Sequence, residues 1–273
     1  MIKFDRLPGG KRFALTLSYD DGRDCDRRLI EIMNKYGIRG TFHINSSRVD
    51  SGPWVASSDD IKNLYKNHEV SCHGVYHHSL HTLSPQNIIG EILEDRKFFE
   101  NLTGTPVRGM SYANGSYNDE IITVLRNCGM VYSRTTKSTR GFLFPDDFMQ
   151  WHPTCHHRDC LEDAEKFLAL TERAYFAHPY LFYVWGHSYE FDNDNNWDVI
   201  EKFCELMGGR DDIWYATNNE IYEYINAQKS LIISVDNKIV RNPTDIPVWF
   251  SEKGFERDTK CYCVNPGETI KLD

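Results

Sequence analysis

The sequence predicts an α/β protein whose main part is a parallel sheet or barrel of strand–helix units, followed by a small β appendage. Three observations favour this fold class. Short apolar strand patterns alternate with helix patterns up to about residue 229. Helix patterns then stop, and only short strand patterns joined by turns follow. The length of 273 residues is enough to bury a large core in one big domain or two ordinary ones.

The predicted strands are short runs rich in apolar and β-branched residues. They cover residues 13–17, 40–44, 69–72, 107–112, 131–134, 181–187 and 213–216. The helices between them carry apolar residues at intervals of three and four, and several have capping residues at their ends. They cover residues 26–36, 57–66, 84–102, 119–128, 161–176, 196–208 and 219–229, whereas residues 136–160 are less regular.

The tail differs from the rest of the chain. Strand patterns at 231–235, 247–250, 260–264 and 269–272 are separated by turn signals such as Asn242-Pro243 and Pro266-Gly267. We therefore expect a barrel over residues 1–229 and a small antiparallel β appendage over residues 230–273. The appendage could cover one end of the barrel, mediate assembly into a homo-oligomer, or shape a substrate groove.

Composition narrows the possible partners. The net charge of −9 does not favour nucleic acid or an anionic membrane surface. No apolar run approaches the ~20 residues of a membrane helix. The N-terminus has no signal-peptide pattern, so the sequence as given predicts a cytoplasmic protein. The eight cysteines include no C-x-x-C pair, which favours reduced, packed thiols over a zinc or disulfide framework.

Two adjacent carboxylates, Asp20 and Asp21, follow the first buried strand, and Gly22 then turns the chain. Successive side chains of a strand point to opposite faces, but at a strand end, where the backbone bends, both can reach one pocket. Two carboxylates in different surroundings suit two tasks, namely holding a cation and moving a proton. Taken alone, the stretch favours a simple turn, since Asp-Gly is common in turns, and only the motifs further along the chain favour a site.

A histidine cluster follows the third predicted strand. Residues 73–81 contain four histidines, and His73 and His77 are four residues apart. On a single helical turn or a tight loop, such a pair can face one metal ion. With a carboxylate from another strand end, the pair becomes a two-histidine, one-carboxylate set that leaves positions open for water and substrate.

Together these features resemble the polysaccharide deacetylase family (the NodB homology domain, carbohydrate esterase family 4). That family has an Asp-Asp-Gly motif after a strand and a His-x-x-x-His motif further along. Here Asp20-Asp21-Gly22 precedes His73 and His77 by about 50 residues, and the resemblance covers residues 12–225. It implies a distorted (β/α) barrel of about seven strands, with the active residues at the C-terminal ends of the strands.

The resemblance also implies the central roles. Asp21, His73 and His77 are expected to bind a divalent metal, with zinc as the first choice and cobalt, nickel or manganese as alternatives. Asp20 is expected to be the general base. His187, at the end of the apolar strand 181–187, is expected to be the general acid. Such a metal lowers the pKa of bound water towards ~7 and polarises an amide carbonyl.

The remaining motifs are altered. In the third motif, Ser111 and Asn114 occupy the usual arginine and tyrosine positions, and Gly115 matches. The backbone N–H at Asn114 could still serve an oxyanion. Arg108, just upstream, could replace the arginine that orients the base, or could be an ordinary surface charge.

Tyr112, Trp151 and Trp185 complete the predicted substrate-binding set. Tyr112 lies within the third motif, and Trp151 matches the fourth motif, where Gln150 replaces the usual aspartate. The ring of Trp151 could form a wall of an acetyl pocket or belong to the core. Trp185 or Val184 is expected to line the pocket in the fifth motif.

The leading hypothesis is therefore a metal-dependent hydrolase that removes an acetyl group from an N-acetylated carbohydrate. One alternative is hydrolysis of a small, non-sugar amide. The other is a metal-retaining carbohydrate-binding protein with weak catalysis. The losses of the third-motif arginine and the fourth-motif aspartate favour it, and the intact carboxylates and histidines argue against it.

Overall fold

A curled parallel sheet forms the centre of the molecule in the computed structural model, which describes residues 1–172, 178–253 and 259–272. The order of hydrogen-bonded strands is β6-β5-β4-β3-β2-β8-β7, and β9 pairs in parallel with the first residues of β2. The strands of this sheet are β2 (Phe13–Asp20), β3 (Gly40–Ile44), β4 (Glu69–Cys72), β5 (Gly109–Ser111), β6 (Tyr132–Arg134), β7 (Cys155–His156), β8 (Tyr180–Gly186) and β9 (Ile213–Tyr215).

Helices cover the outside of this sheet. They are α1 (Asp26–Lys35), α2 (Ser58–Asn63), α3 (Pro85–Thr103), α4 (Asp119–Asn127), α5 (Cys160–Thr171), α6 (Tyr189–Asn193), α7 (Trp197–Met207) and α8 (Asn218–Lys229). The predicted α/β barrel of about seven strands, with an antiparallel appendage, is confirmed. The last part of the predicted helix 161–176 lies outside the described residues, and β7 lies in the stretch that the sequence presents as irregular.

Strand β2 is the central element of the sheet, and all eight of its residues are buried. It pairs in parallel with β8 on one side and with β3 and β9 on the other. A parallel strand covered on both faces is expected to be a continuous apolar run, as Phe13 to Leu17 is. The strand continues through Asp20, beyond the predicted end at residue 17, so it carries the first carboxylate directly into the barrel.

The tail forms two small antiparallel sheets. One joins β10 (Ile232–Ile233), β11 (Ile239–Arg241) and β14 (Thr269–Lys271), and the other joins β1 (Ile2–Lys3), β12 (Val248–Lys253) and β13 (Thr259–Val264). Because β1 pairs with β12, the first residues of the chain belong to a sheet of the tail. Gln228 of α8 donates hydrogen bonds to the carbonyl oxygens of Arg6 (3.0 Å) and Trp249 (3.1 Å), which links the barrel to this sheet.

Among the residues that the structure describes, no helix is both long enough and apolar enough to cross a bilayer.

Candidate active site

The two carboxylates reach one pocket because the chain turns sharply after β2. Asp21 has a φ of +76° and donates its backbone N–H to the carbonyl oxygen of His43 at 2.9 Å. A positive φ is uncommon for residues other than glycine, and Asp is among the residues that tolerate it best. Gly22 continues the left-handed turn, and a side chain there would collide with Ile44. The turn places Asp21 beside Asp20 at the carboxyl end of the sheet.

Asp21, His73 and His77 form one cluster. The Nε2 atoms of His73 and His77 lie 3.9 and 3.6 Å from Oδ1 of Asp21, and the centroids of the two imidazole rings are 4.7 Å apart. The potential ligand atoms of all three residues lie within 4.8 Å of one another. Arg48 also donates a hydrogen bond to Oδ1 of Asp21 at 3.1 Å. The structure thus brings together the three predicted metal ligands.

The donor set fits a divalent metal. Nδ1 of His73 donates to the carbonyl oxygen of Ser111 (3.1 Å), so Nε2 carries no proton in the neutral ring. This buried Nε2 has no hydrogen-bond partner among the described residues and points at the carboxylates. Burial lowers the pKa of His73 despite the attraction of Asp20 and Asp21, which favours the neutral ligand form. Two neutral imidazoles and a carboxylate suit Zn²⁺ and related ions.

Helix α3 holds the loop that carries the histidines. Oδ2 of Asp95 accepts hydrogen bonds from the backbone N–H groups of His73 and Gly74, both at 3.0 Å, and its Oδ1 accepts from Ser46 at 2.9 Å. Asn45 donates to the carbonyl oxygens of His73 and Gly74. The hydrogen bonds of Asp95 and Asn45 were not predicted from the sequence. A carboxylate among the core-facing positions of a helix pattern, as Asp95 is, could have indicated such a role.

Asp20 is held by a different set of groups. The Arg134 guanidinium, which is fully buried, pairs with Oδ2 of Asp20, and Ser111 donates to Oδ1 at 3.0 Å. Arg134 also donates to Ser18 Oγ (3.0 Å) and lies 4.6 Å from the centroid of the Trp185 ring. Burial raises the pKa of Asp20, but the charges of Arg134 and the nearby histidines outweigh it and hold this pKa well below its usual range.

His187 follows β8 and contacts Glu190. Its Nδ1 lies 3.4 Å from Oε1 of Glu190, and its ring centroid lies 5.9 Å from that of Trp185. Burial lowers the pKa of His187, but the Glu190 hydrogen bond and the Asp20 charge outweigh it, so the pKa lies above its ordinary value. A raised pKa favours the protonated imidazole, which is the form that a general acid needs.

Arg108 lies away from the site, and this corrects the prediction that it supports the base. It precedes β5 at the amino end of the strand, is exposed, and lines a cavity of about 560 Å³ with residues such as Arg39 and His68. The arginine that contacts Asp20 is Arg134, on the neighbouring strand β6. Arg134 pairs in register with Ser111, the position at which the third motif usually has arginine. The small Ser111 side chain leaves room for this guanidinium.

Two predicted substrate-binding side chains belong to the core. Trp151 is 1% exposed and packs edge-on against Tyr132 and Phe148. Tyr112 is equally buried, and its hydroxyl donates to the carbonyl oxygen of Met149 at 2.8 Å. The contacts of both rings are therefore those of core residues.

Asn114, Gly115 and Trp185 lie at the carboxyl ends of their strands. Asn114 is exposed, has a φ of +57°, and donates to Ser79 (2.9 Å) in the loop after His77. Gly115 has a φ of +65°, and a Cβ there would meet Thr136 Oγ1. Trp185 is partly buried over Arg134. These three positions remain candidates for substrate contacts.

Fold and site together define a (β/α)-barrel protein with a carboxylate pair and three histidines at the carboxyl end of its sheet. Residues 8–133 match the family described as polysaccharide deacetylase. The matched part contains Asp20, Asp21, His73 and His77, and through it the chain is similar to this family.

One curated relative is the peptidoglycan-N-acetylglucosamine deacetylase of Bacillus cereus, 24% identical over 118 residues, which are 42% of this chain and 53% of that protein. The chain spans about half or less of the length of the curated relatives that it matches. A Mycobacterium smegmatis structure assigned to the polysaccharide deacetylases has 16% identity and a TM-score of 0.61 over 84% of this chain and 96% of that one. A Bacillus anthracis structure, the CE4 family pseudoenzyme BA3943, has 18% identity and a TM-score of 0.51 over 80% of this chain and 68% of that one. At these identities the structural similarity concerns the fold.

Proposed function

We propose that this protein is a metal-dependent hydrolase that removes the acetyl group from an N-acetylated carbohydrate. The observation that carries the proposal is the orientation of His73. Its Nδ1 is held by Ser111, and its free Nε2 faces Asp21 and His77 in a buried pocket. A divalent metal bound by these three residues would lower the pKa of water and polarise the amide carbonyl.

The other site residues act on protons. Asp20 is kept ionised by Arg134, so it can accept a proton from the attacking water. Glu190 and Asp20 favour the protonated form of His187, so this residue can donate to the nitrogen of the leaving amine. A carboxylate base and an imidazolium acid in separate surroundings are the two groups that amide hydrolysis needs.

Arg134 also weakens the main argument for a catalytically weak binding protein. That hypothesis rests on the loss of the arginine that usually orients the base and of the fourth-motif aspartate. In this chain a buried guanidinium contacts Asp20 from the neighbouring strand. The proposed base therefore retains a cationic partner, which supports turnover over binding alone.

The test is a deacetylation assay on N-acetylglucosamine oligomers with metal-free protein, before and after addition of Zn²⁺ or Co²⁺. Turnover should depend on the added metal. Asp20→Asn should lower kcat by about 10²–10⁴-fold, the usual contribution of a general base, and should keep metal binding. Asp21→Asn should lose metal affinity. The exposed Asp59, changed to Asn, is the matched control and should change neither property.

The pattern of results separates the alternatives. Loss of metal in Asp20→Asn, with metal retained in Asp21→Asn, would mean that the roles of base and ligand are exchanged. Turnover of a panel of small amides but not of sugar oligomers would support the small-amide hypothesis. Tight sugar binding without turnover of any amide would refute the proposed enzyme.

A further inference from the structure

Glu190 is surrounded by three imidazole rings. Its Oε1 lies 3.4 Å from Nδ1 of His187, and its Oε2 lies 2.9 Å from Nε2 of His156 and 3.2 Å from Nε2 of His157. His156 lies in β7, and His157 follows it directly. The proposed reaction needs His187, but it gives no role to the two histidines on the far side of the carboxylate.

The partners of His156 determine which nitrogen carries its proton. Its Nδ1 accepts hydrogen bonds from the guanidinium Nε of Arg158 at 3.1 Å and from the Arg158 backbone N–H at 3.4 Å. A nitrogen that accepts from two donors carries no proton, so the proton of the neutral ring is on Nε2. This N–H points at Glu190, and His156 is therefore a hydrogen-bond donor to the carboxylate.

The same argument disfavours a second metal site. Ligand atoms of His156, His157 and Glu190 lie within 4.8 Å of one another, as they would in a metal centre. Coordination through Nε2 of His156 would require its proton to move to Nδ1, where it would face the two donors of Arg158. The arrangement is that of a hydrogen-bonded carboxylate, since every donor around Oε2 is already in place.

His157 supplies the second donor and is fixed by packing. Its ring is 2% exposed and stacks on Phe191, with centroids 4.2 Å apart. Burial, followed by the neighbouring His156, lowers its pKa to about 3, so the ring is neutral. A Cβ at Gly186 would lie 2.1 Å from Nδ1 of His157, so the glycine before His187 allows this close approach.

We propose that His156, with Arg158 behind it, is a positioning residue that fixes Glu190 and thereby orients the general acid His187. The inference rests on the proposed function, because it assigns these residues a part in the same reaction. Oε2 of Glu190 lies beside Nε2 of His156 and of His157 and accepts the backbone N–H of His187 at 3.4 Å, whereas Oε1 faces Nδ1 of His187 at 3.4 Å. The Nε2 atom of His187 is then available to carry the proton that is transferred.

The charged groups around His187 determine how its pKa should change when His156 is replaced. Glu190, Asp20 and Asp21 favour its protonated form, whereas burial opposes it. His156, His157 and Arg158 lie behind Glu190, and Arg134 lies across the Trp185 ring. Without the donor on His156, Glu190 can rotate away from His187. The acid then loses its nearest counter-charge, while the groups that bind the metal are unchanged.

The experiment compares His156→Phe, His156→Gln and Arg158→Met in the zinc-loaded protein. In His156→Phe, kcat on N-acetylglucosamine oligomers should fall about 10–100-fold, less than the ~10²–10⁴-fold contribution of a general acid because His187 itself remains, while KM changes less than threefold. The alkaline limb of the kcat profile should move down by about one pH unit. His156→Gln keeps an N–H donor and should recover most of kcat. Since Arg158 is exposed, Arg158→Met should fold normally and reduce kcat two- to fivefold.

Nuclear magnetic resonance of ¹⁵N-labelled histidines gives a readout that does not require activity. In the wild-type protein, His156 should be the Nε2–H tautomer, and Arg158→Met should populate the Nδ1–H form. The pKa of His187 should fall in His156→Phe. The control is His178→Gln, at the opposite end of β8, which should alter neither kcat nor the His187 titration.

The outcomes distinguish this inference from the proposed function. If the wild-type protein hydrolyses no amide, the proposed function fails, and the resonances of His156 and His187 still test the hydrogen-bonded chain. The inference is overturned by an Nδ1–H tautomer of His156, by an unchanged His187 titration in a folded His156→Phe, or by equal losses in the Phe and Gln variants. It is also overturned if the protein binds two zinc ions and His156→Phe binds one.

Discussion

Replacing Arg134 by methionine should destabilise the protein by about 3–5 kcal/mol, because it leaves the buried carboxylate of Asp20 without its cation. The guanidinium has no solvent exposure, and the carboxylate side chain is 3% exposed, so water cannot replace the lost partner. Methionine is flexible and fills irregular gaps well, so the loss is mainly electrostatic. Hydrogen bonds to Ser18 and to the carbonyl oxygen of Thr135 are lost as well.

A second substitution separates the loss of charge pairing from the loss of packing in the free energy of unfolding. In Asp20→Asn combined with Arg134→Met, neither charge remains, so the double variant should be more stable than the sum of the single losses predicts. The coupling between the two sites should be about 1–3 kcal/mol, the upper part of the range for residues in direct contact. Arg108→Met is the matched control. Its side chain is exposed, so the variant should stay within about 0.5 kcal/mol of the wild type.

The assay is urea unfolding of the metal-free proteins, followed by tryptophan fluorescence and circular dichroism, with kcat measured on the metal-loaded forms. Both probes should give one transition, which allows the free energies to be compared. The reasoning is refuted if Arg134→Met loses less than about 1 kcal/mol, a typical cost of an average substitution, or if the two single losses simply add. A larger loss in Arg108→Met would restore the interpretation based on sequence alone.

Two further predictions concern groups away from the reacting atoms. His68 is buried, and burial together with the charge of Arg39 lowers its pKa to about 4. The unfolded chain binds this proton near pH 6.5, so folding stability should fall as the pH drops from 6.5 to 4. Over these 2.5 units the loss relative to His68→Gln is about 3 kcal/mol, and parallel pH–stability curves of the two proteins would contradict the assignment. Asp95→Asn replaces one acceptor oxygen with a donor that faces other donors, so zinc affinity should fall about 10–100-fold in a competition titration, as for other changes behind metal ligands. The exposed Glu94→Gln on the same helix is its control, and equal affinities in the two variants would exclude a role of Asp95 in holding the histidine loop.

The sequence predicted the parts of the site that are continuous in the chain. Asp20 and Asp21 follow a buried strand, and His73 and His77 lie in one loop, so spacing alone indicates that each pair is close. It did not predict Arg134, because this residue meets Ser111 through strand register and not through any motif. The prediction of Arg108 fails for the same reason, since proximity in sequence places it at the wrong end of β5.

The predictions for Trp151 and Tyr112 fail because the sequence pattern of an aromatic residue at a strand end is the same whether the ring lies in the core or lines a pocket. Only the packing of Tyr132 and Phe148 around Trp151 decides between them. Glu190 lies in α6, whereas His156 and His157 lie in and directly after β7, more than 30 residues earlier in the sequence. The sequence shows an acidic residue, Glu190, three positions after His187, but it does not indicate that His156 and His157 lie next to it.

The pairing of β1 with β12 has a consequence for the order of events during synthesis. Ile2 pairs with Glu252, a separation of 250 residues. At about 5–20 residues per second, the ribosome needs roughly 12–50 s to deliver the partner of the first strand. The strands that carry Asp20, Asp21, His73 and His77 emerge within the first third of this time, whereas His187 follows more than 100 residues later. We expect the part of the site with Asp20, Asp21, His73 and His77 to assemble first on the nascent chain, with His187 added afterwards and β1 paired with β12 last.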